Sequence, residues 1–467
     1  MNSTNSQEIG IRTVSNYKTI GLVSSCLAAI FVALTTSSIN VALPSINNEF
    51  GSDAIILTWM VTSFVLVASV FSVPFGRIAD IVGLKRIFLC GMILFVLSSS
   101  IAIFSNSSTM LIICRSFQGL AGAMVAVNST AMVTAIFPSN ERGRALGINI
   151  ACVYIGTSLG PFLGGILTEH LGWRSIFAIN IPVCMLVILL LIWKVKGEWC
   201  ESEGEKFDYI GSVVYGIALV ALMYGFSLLP GIQGWIFVIS GIIGLLIFIW
   251  LESRIDNPIL DIKVFRGNKQ FIFSNLASLV GYTSIFAVSF LLSLYLQYIK
   301  NFSPEQAGLV LVVQPATQAI ISPLAGRLSD KVEPRIIASI GMAIVLAGLI
   351  ILSFLSNNTP IVEVIVVLIA LGIGFALFSS PNSNAIMSAI IPKYYGIGSA
   401  IMSTMRSVGQ TFSMGITMIV MAIVIGRVKI TPEYYGVFLT STNIAFGICS
   451  FLCLGGIITS LSRGKVR

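Results

Sequence analysis

Apolar residues run along this chain in long blocks broken by short polar stretches. The blocks reach about 20 residues, the length an α-helix needs to cross the hydrocarbon of a bilayer. Fourteen blocks meet that length, at 20–43, 55–75, 86–105, 109–136, 144–168, 174–194, 209–229, 233–251, 271–296, 306–327, 335–355, 361–390, 396–425 and 435–461. Only the short turn Pro230-Gly231-Ile232-Gln233-Gly234 separates the seventh and eighth. The polar segment Met1 to Lys18 carries no small-residue cleavage site, so the first block is expected to stay as a span. The expected fold is an all-α polytopic membrane protein with 14 transmembrane helices.

Composition agrees. The 467 residues are 56% hydrophobic and 10% charged, whereas soluble domains carry about 25% charge. No soluble fold of this length hides so much apolar side chain. The net charge of +8 would suit nucleic acid, but the basic residues form no continuous cluster, so no nucleic-acid partner is expected. They act instead as topology signals. With both termini placed in the cytoplasm, 21 of the 27 Lys and Arg fall on the inner side. Arg174, Lys300, Arg427 and Lys429 fall outside, and Arg115 and Arg406 lie within spans. Omitting one helix would swap sides downstream and destroy this asymmetry. A multi-pass protein of the plasma membrane with cytoplasmic termini is therefore expected.

Several function classes drop out. Seven of the eight cysteines (Cys26, Cys90, Cys114, Cys152, Cys184, Cys449, Cys453) sit in apolar runs and no CxxC pair occurs, which disfavours a disulfide framework or a zinc site. No metal and no cofactor are expected. His170 is the sole histidine and falls on an outer loop, where it reads as a solvated residue. Nucleophile–base chemistry has little to work with, and no GxxxxGK[ST] loop is present. An enzyme is not expected.

Two segments look like copies. One reads Gly76-Arg77-Ile78-Ala79-Asp80-Ile81-Val82-Gly83-Leu84-Lys85-Arg86, after the second span. The other reads Gly326-Arg327-Leu328-Ser329-Asp330-Lys331-Val332-Glu333-Pro334-Arg335, after the tenth. They stand eight helices apart, where a plain six-helix duplication would place them six apart. Two inserted helices explain the difference. The expected organisation is a cytoplasmic segment 1–19, a six-helix bundle 20–194, linkers with two inserted helices 195–270, a second six-helix bundle 271–461 and a tail 462–467. Parallel repeats with a site near the midplane are a common transporter plan.

Five motifs stand in order on the helices. They are Asn40-Val41-Ala42-Leu43-Pro44 ending the first helix, Gly76-x-x-x-Asp80-x-x-Gly83-x-Lys85-Arg86 and Leu111-Ile112-x-x-Arg115-x-x-Gln118-Gly119. Gly156-x-x-x-Gly160-Pro161-x-x-Gly164-Gly165 and Trp173-Arg174-x-x-Phe177-x-Ile179-Asn180-x-Pro182 follow. Over nearly the whole chain this pattern resembles the major facilitator superfamily, and within it the fourteen-helix drug:proton antiporter family of multidrug efflux type. The resemblance implies a conformational latch at Gly76, Asp80, Gly83, Lys85 and Arg86, with Asp330 in the second copy. That copy has Glu333 where a glycine is expected. It implies an antiporter-type hinge in helix five at Gly156, Gly160, Pro161, Gly164 and Gly165. The glycines recur every fourth residue on one face, where small side chains allow close approach, and Pro161 removes a backbone hydrogen bond. It also implies proton or substrate contact for Arg115.

An intramembrane arginine costs about 2.5–3.5 kcal/mol, so Arg115 should face a cavity. Arg406 lies about ten residues, ~15 Å, into its span and should also line the interior, with Gln410 one turn away. None of the 19 acidic residues falls in the middle of a span. The family's first helix normally carries an aspartate where this chain has Thr35. Two buried arginines and no buried acid favour a neutral or anionic substrate over a standard proton-for-cation exchange. Coupling through Asp80, or through water and Arg115, stays open.

The expected solute path is polar without charge: Thr35, Thr36, Ser37, Ser38 and Asn40 on the first span, Tyr154 on the fifth, and Gln314, Thr317 and Gln318 on the tenth. Ser379, Ser380, Asn382 and Asn384 surround Pro381 on the twelfth. Asn and Gln at that depth also serve simply to bond neighbouring helices. The expected function is secondary transport, as efflux of amphipathic small molecules driven by an ion gradient. The alternatives are a carrier of an anionic or neutral metabolite and, more remotely, a membrane sensor or enzyme. The expected partners are a small-molecule substrate, protons as candidate coupled ion and the lipid bilayer, for a protein acting as a monomer.

Overall fold

The structure, a computed structural model, describes residues 2–195, 197–199, 207–255, 268–329, 331–390 and 395–464. Asp330 and much of both linkers lie outside the described residues. Fourteen helical segments are long and apolar enough to cross a membrane. They are α1 (Lys18–Phe50), α2 (Ala54–Val82), α3 (Leu84–Ile103), α4 (Ser108–Ile136), α5 (Ala145–Leu171), α6 (Ser175–Lys194) and α7 (Tyr209–Leu228). They continue as α8 (Ile232–Glu252), α9 (Lys269–Ile299), α10 (Pro304–Ser329), α11 (Pro334–Leu352), α12 (Ile361–Ser388), α13 (Ile401–Val424) and α14 (Pro432–Ser462). No strand occurs among the described residues.

Polar caps mark where several helices start. Asp53 accepts the Ile56 N–H at 2.8 Å and Ser107 that of Met110 at 3.2 Å. Asp208 accepts from Gly211 at 2.9 Å, and Ser303 and Gln306 form a reciprocal capping box on α10. Each satisfies an end donor that lipid cannot.

The helices outrun the apolar blocks in two instructive places. The first helix passes through Pro44 and continues to Phe50, so Asn40–Pro44 does not end it. One proline forfeits a single backbone bond, and the flanking residues Val41, Ala42, Leu43 and Ile46 are fully buried. The segment Gly76–Val82, expected as loop, forms the last two turns of α2. Only Gly83, at φ +124, breaks the chain before α3. That backbone is costly for any residue with a Cβ.

Helix α5 lies along α1, α2 along α4, and α3 along α4. In the later part of the chain α11 packs on α12, α10 on α12, and α9 on α13 and α14. Helices α7 and α8 form a hairpin whose crossing uses Gly225, Gly234 and Gly241. Through α7 that hairpin touches both α2 and α13. The Tyr215 hydroxyl donates to the Ser69 carbonyl at 3.2 Å. Helix α8 exposes Ile236, Ile239, Ile243 and Leu246, an apolar surface suited to lipid. Because the chain crosses fourteen times, its described termini share one face, which also carries Lys85, Arg86 and Arg335. This is called the basic face below.

Candidate functional site

The first six helices and the last six meet mainly away from the basic face. The Asn47 amide donates to the Tyr298 hydroxyl at 2.9 Å. The Ser293 hydroxyl and the Gln297 amide donate to the Asn40 and Val41 carbonyls at 2.7 and 2.9 Å. Glu169, near the end of α5, accepts from the Ser303 hydroxyl at 2.6 Å and from the Glu305 N–H at 2.9 Å, capping α10 from across the boundary. His170, expected on a loop, sits in the last turn of α5, with Nε2 3.0 Å from Glu305 Oε2.

Behind these polar ties lies a backbone crossing. A Cβ on Gly165 would strike the Pro304 carbonyl, and one on Gly308 would strike the Pro161 carbonyl. At mid-depth the Ser69 and Thr411 hydroxyls are 2.8 Å apart, and the Tyr154 and Ser379 hydroxyls 3.5 Å apart. The hydrogen bonds named here tie the two halves together from the far face to mid-depth.

At the inner limit of that seal, Tyr154 of α5 faces Ser379 of α12. Tyr282 of α9 lies close to both Tyr154 and Arg406 of α13, with Arg406 in hydrogen-bonding reach of its hydroxyl. The Tyr282 ring meets Phe375 edge-on at 5.1 Å. Tyr154, Tyr282, Arg406 and Gln410 are all partly exposed. Gln410 follows Arg406 by four residues, on the same helix face. Gln314 and Gln318 are nearly buried, and among the described residues neither amide has a hydrogen-bond partner. Thr36 and Thr317 bond back to the carbonyls of Val32 and Val313, as hydroxyls do inside helices. Ser380 is half-buried beside Gly326.

Arg115 is placed differently from the cavity-facing position expected for it. It is fully buried inside the first six helices. Its Nε donates to the Met60 carbonyl at 3.3 Å and its Nη1 to Gln118 Oε1 at 3.0 Å. Its guanidinium lies over the Phe64 ring at 4.5 Å. Gln118 in turn donates to the Ser99 hydroxyl at 2.9 Å. The arrangement ties α2, α3 and α4 together through carbonyl, amide and ring partners.

The first helix divides its polar residues. Thr35 donates to Asn180 Oδ1 at 2.9 Å and is fully buried against α6. Ser37 and Ser38 pack against α5, where a Cβ on Gly160 or Gly164 would collide with them, and one on Gly156 would strike the Ile30 carbonyl. Three glycines of the helix-five motif therefore serve the α1–α5 contact, while Gly165 faces α10. Asn40 contributes its backbone carbonyl to the seal.

Asn382 is a fastener. It donates to the Ser274 carbonyl and the Ser278 hydroxyl at 3.0 and 2.8 Å, and accepts from Arg463 at 2.7 Å. Burial draws the Arg463 guanidinium down to about 10, so it stays a cation at neutral pH. Asn384 donates to the Ser329 hydroxyl at 3.2 Å.

The loop motif has a partner that sequence reasoning did not single out. Glu198, after α6, accepts from the Lys85 N–H at 2.7 Å and pairs with Arg86 at 3.6 Å. Lys85 Nζ donates to the Val195 carbonyl, and Gly83 leaves room for the Glu198 carboxylate. The carboxylate sits on the first N–H groups of α3, where a helix dipole favours negative charge. At the far face Arg174 grips Glu49 with both terminal nitrogens, at 2.8 and 2.6 Å, and lies over Trp173 at 4.2 Å. Its bonds to Glu49 raise its affinity for the proton. Glu198, Asn180, Gly308 and Tyr282 were all missed or unassigned as partners, because each becomes meaningful only through a distant neighbour. Among the described residues no group of three metal-ligating side chains occurs.

Comparison with known proteins adds the following. The Major Facilitator Superfamily profile matches residues 25–414 and again 274–465. The riboflavin transporter RibZ of Clostridioides difficile (strain 630) is 30% identical over 447 residues, covering 95% of this chain and 97% of that protein. The multidrug resistance protein Stp of Mycobacterium tuberculosis (strain CDC 1551 / Oshkosh) is 33% identical, covering 85% of this chain and 74% of that protein. The cephamycin export protein CmcT of Amycolatopsis lactamdurans is 31% identical, covering 86% of this chain and 85% of that protein.

Proposed function

This chain belongs to the Major Facilitator Superfamily, and from that premise we propose that it is a secondary active exporter of amphipathic small organic molecules. The observation that carries the reading is the one-sided seal. The halves are tied at the far face, and inward of those ties partly exposed Tyr154, Tyr282 and Arg406 stand with the buried Ser379 at their boundary. Such an arrangement is one of the two states that alternating access requires. The Lys and Arg bias supports a cytoplasmic basic face, so the open side faces the cytoplasm, where an exporter loads its cargo. The plasma membrane is the proposed location and the monomer the proposed unit.

An ion gradient is the proposed drive. Among the described residues every acid inside a span lies within two residues of that span's end. Proton coupling through a mid-membrane carboxylate therefore has no support here, and interfacial Asp80 is the remaining candidate. Relatives that carry riboflavin, cephamycin and several drugs favour organic cargo with ring systems.

The test is flux of a fluorescent amphipathic solute in liposomes without ATP, with and without an imposed pH gradient. Flux that rises severalfold with the gradient supports antiport. Equal flux in both conditions removes the coupling claim, and no flux above protein-free liposomes removes the transporter reading.

A further inference from the structure

Arg406 is a charged side chain inside a span, close to the boundary between the two halves, and its charge is positive. Arg406 lies 18 residues from the far end of α13 and is partly exposed. Among the described residues it has no acidic partner, and its recorded contact is the neutral Tyr282 hydroxyl. The other deep arginine, Arg115, is occupied by a carbonyl, an amide and a ring. Every described acid inside a span sits within two residues of that span's end. A guanidinium keeps its charge at any physiological pH. Without an acidic partner among the described residues, it repels cations and favours an anion able to take its planar pair of N–H donors, such as a carboxylate, sulfonate or phosphate.

The surroundings of Arg406 add shape. Tyr282 and Tyr154 are partly exposed and adjacent, with Phe375 edge-on to Tyr282 at 5.1 Å. These rings come from three helices, α5, α9 and α12, two of them in the later half and one in the first. The Tyr154 and Ser379 hydroxyls offer neutral hydrogen bonds at the boundary itself. Gly409, next along α13, is where Tyr282 leans: a Cβ there would stand 3.0 Å from that of Tyr282. The glycine lets the tyrosine lie close to the helix that carries the arginine.

We infer that Tyr154, Tyr282, Phe375 and Arg406 form a binding site for a flat aromatic organic anion, with Arg406 holding the acidic group and the rings holding the body. The inference rests on the transport reading above and names the charge class of its cargo. It runs against a lipophilic cation, which would meet a fixed positive charge at Arg406. The site spans both halves, so an anion bound there touches α5 on one side and α9, α12 and α13 on the other. A change of face must alter both sets of contacts.

The experiment uses two dyes with the same xanthene body and opposite charge: fluorescein, an anion at neutral pH, and tetramethylrhodamine methyl ester, a cation. Binding to the full-length protein in lipid nanodiscs is read by fluorescence anisotropy, and flux of the same dyes is read in liposomes. Fluorescein is expected to bind at least about tenfold more tightly than the rhodamine ester. R406Q should abolish that preference, and R406K should restore part of it, since the charge returns without the planar fork. Thermal unfolding of each variant guards against a folding defect.

Tighter binding of the rhodamine ester, no binding of either dye, or an unchanged preference in a folded R406Q overturns the inference. The two readings fail separately. Rhodamine ester moved while fluorescein is ignored leaves a transporter with the wrong charge class assigned. Fluorescein bound through Arg406 but never moved leaves the site and removes the transport function.

Discussion

Arg115 and Arg406 carry the same charge and occupy different solvents. Arg115 lies seven residues into its helix, about 10 Å from the far face, inside the sealed end of the molecule. Every direction around it is protein; Nε and Nη1 are met by the Met60 carbonyl and Gln118, Phe64 lies beneath, and Nη2 alone is left without a partner. Arg406 stands where the halves part, with a phenol beside it and exposure on the remaining side. A buried cation supplied with partners fixes helices in place. A cation short of partners is a reservoir of interaction that a ligand can use. The difference between them lies in the neighbours, and the side chain is the same in both.

That comparison can be broken by experiment. Arg115→Ala should give the largest loss of stability, about 2–4 kcal/mol, because it removes two charge-assisted bonds and leaves a cavity between α2, α3 and α4. It reads as a lowered unfolding temperature in detergent. Arg406→Gln should change stability by no more than about 0.5 kcal/mol while lowering transport. The reverse pattern would exchange the two roles.

The sealed end can be attacked directly. Gly308→Leu places a side chain where the Pro161 carbonyl lies. It should hold the far face apart, cutting flux about tenfold or more, the equivalent of about 1.4 kcal/mol against closure. Raised labelling of an Asn47→Cys probe from the far side would report the same opening. Protection of that cysteine in Gly308→Leu would show that the glycine crossing does not govern the seal.

A smaller effect is expected at position 35. Thr35→Asp installs the acid usual in the family, but against Asn180 and away from the gap. It should cost about 1–3 kcal/mol in stability and create no new transport of cations. A gain of cation flux would show that this position reaches the cargo. The smallest change is Ser69→Ala. Thr411 keeps its bond to the Ser407 carbonyl, so about 0.5–1 kcal/mol is expected, read as a modest drop in unfolding temperature with flux retained.

Much of the fold was legible in the apolar blocks, since the bilayer imposes one length on every span and one charge bias on the loops. The fourteen helices follow from that. The site was harder to read. Tyr154 and Arg406 stood out as polar residues within spans, and both lie near the boundary of the two halves, close to Tyr282. Asn382 looked equally suited to a solute path, but Ser274, Ser278 and Arg463 consume its amide. Thr35 met the same fate at Asn180. A polar residue in a span must find a partner, and the chain alone does not say whether that partner is a neighbouring helix or a cargo.

The sequence by itself determined the number of apolar spans and the absence of an acid at mid-span, because hydrophobic length and the positions of charge are properties of the chain. Only the tertiary structure decided which polar groups are spent on packing and which are left over. Hydrogen bonds are directional and short, and Arg115, Thr35 and Asn382 each draw at least one from a residue far away in the chain, at Met60, Asn180 and Ser274. Arg406 became a candidate for the cargo once it was placed beside a tyrosine hydroxyl and found partly exposed.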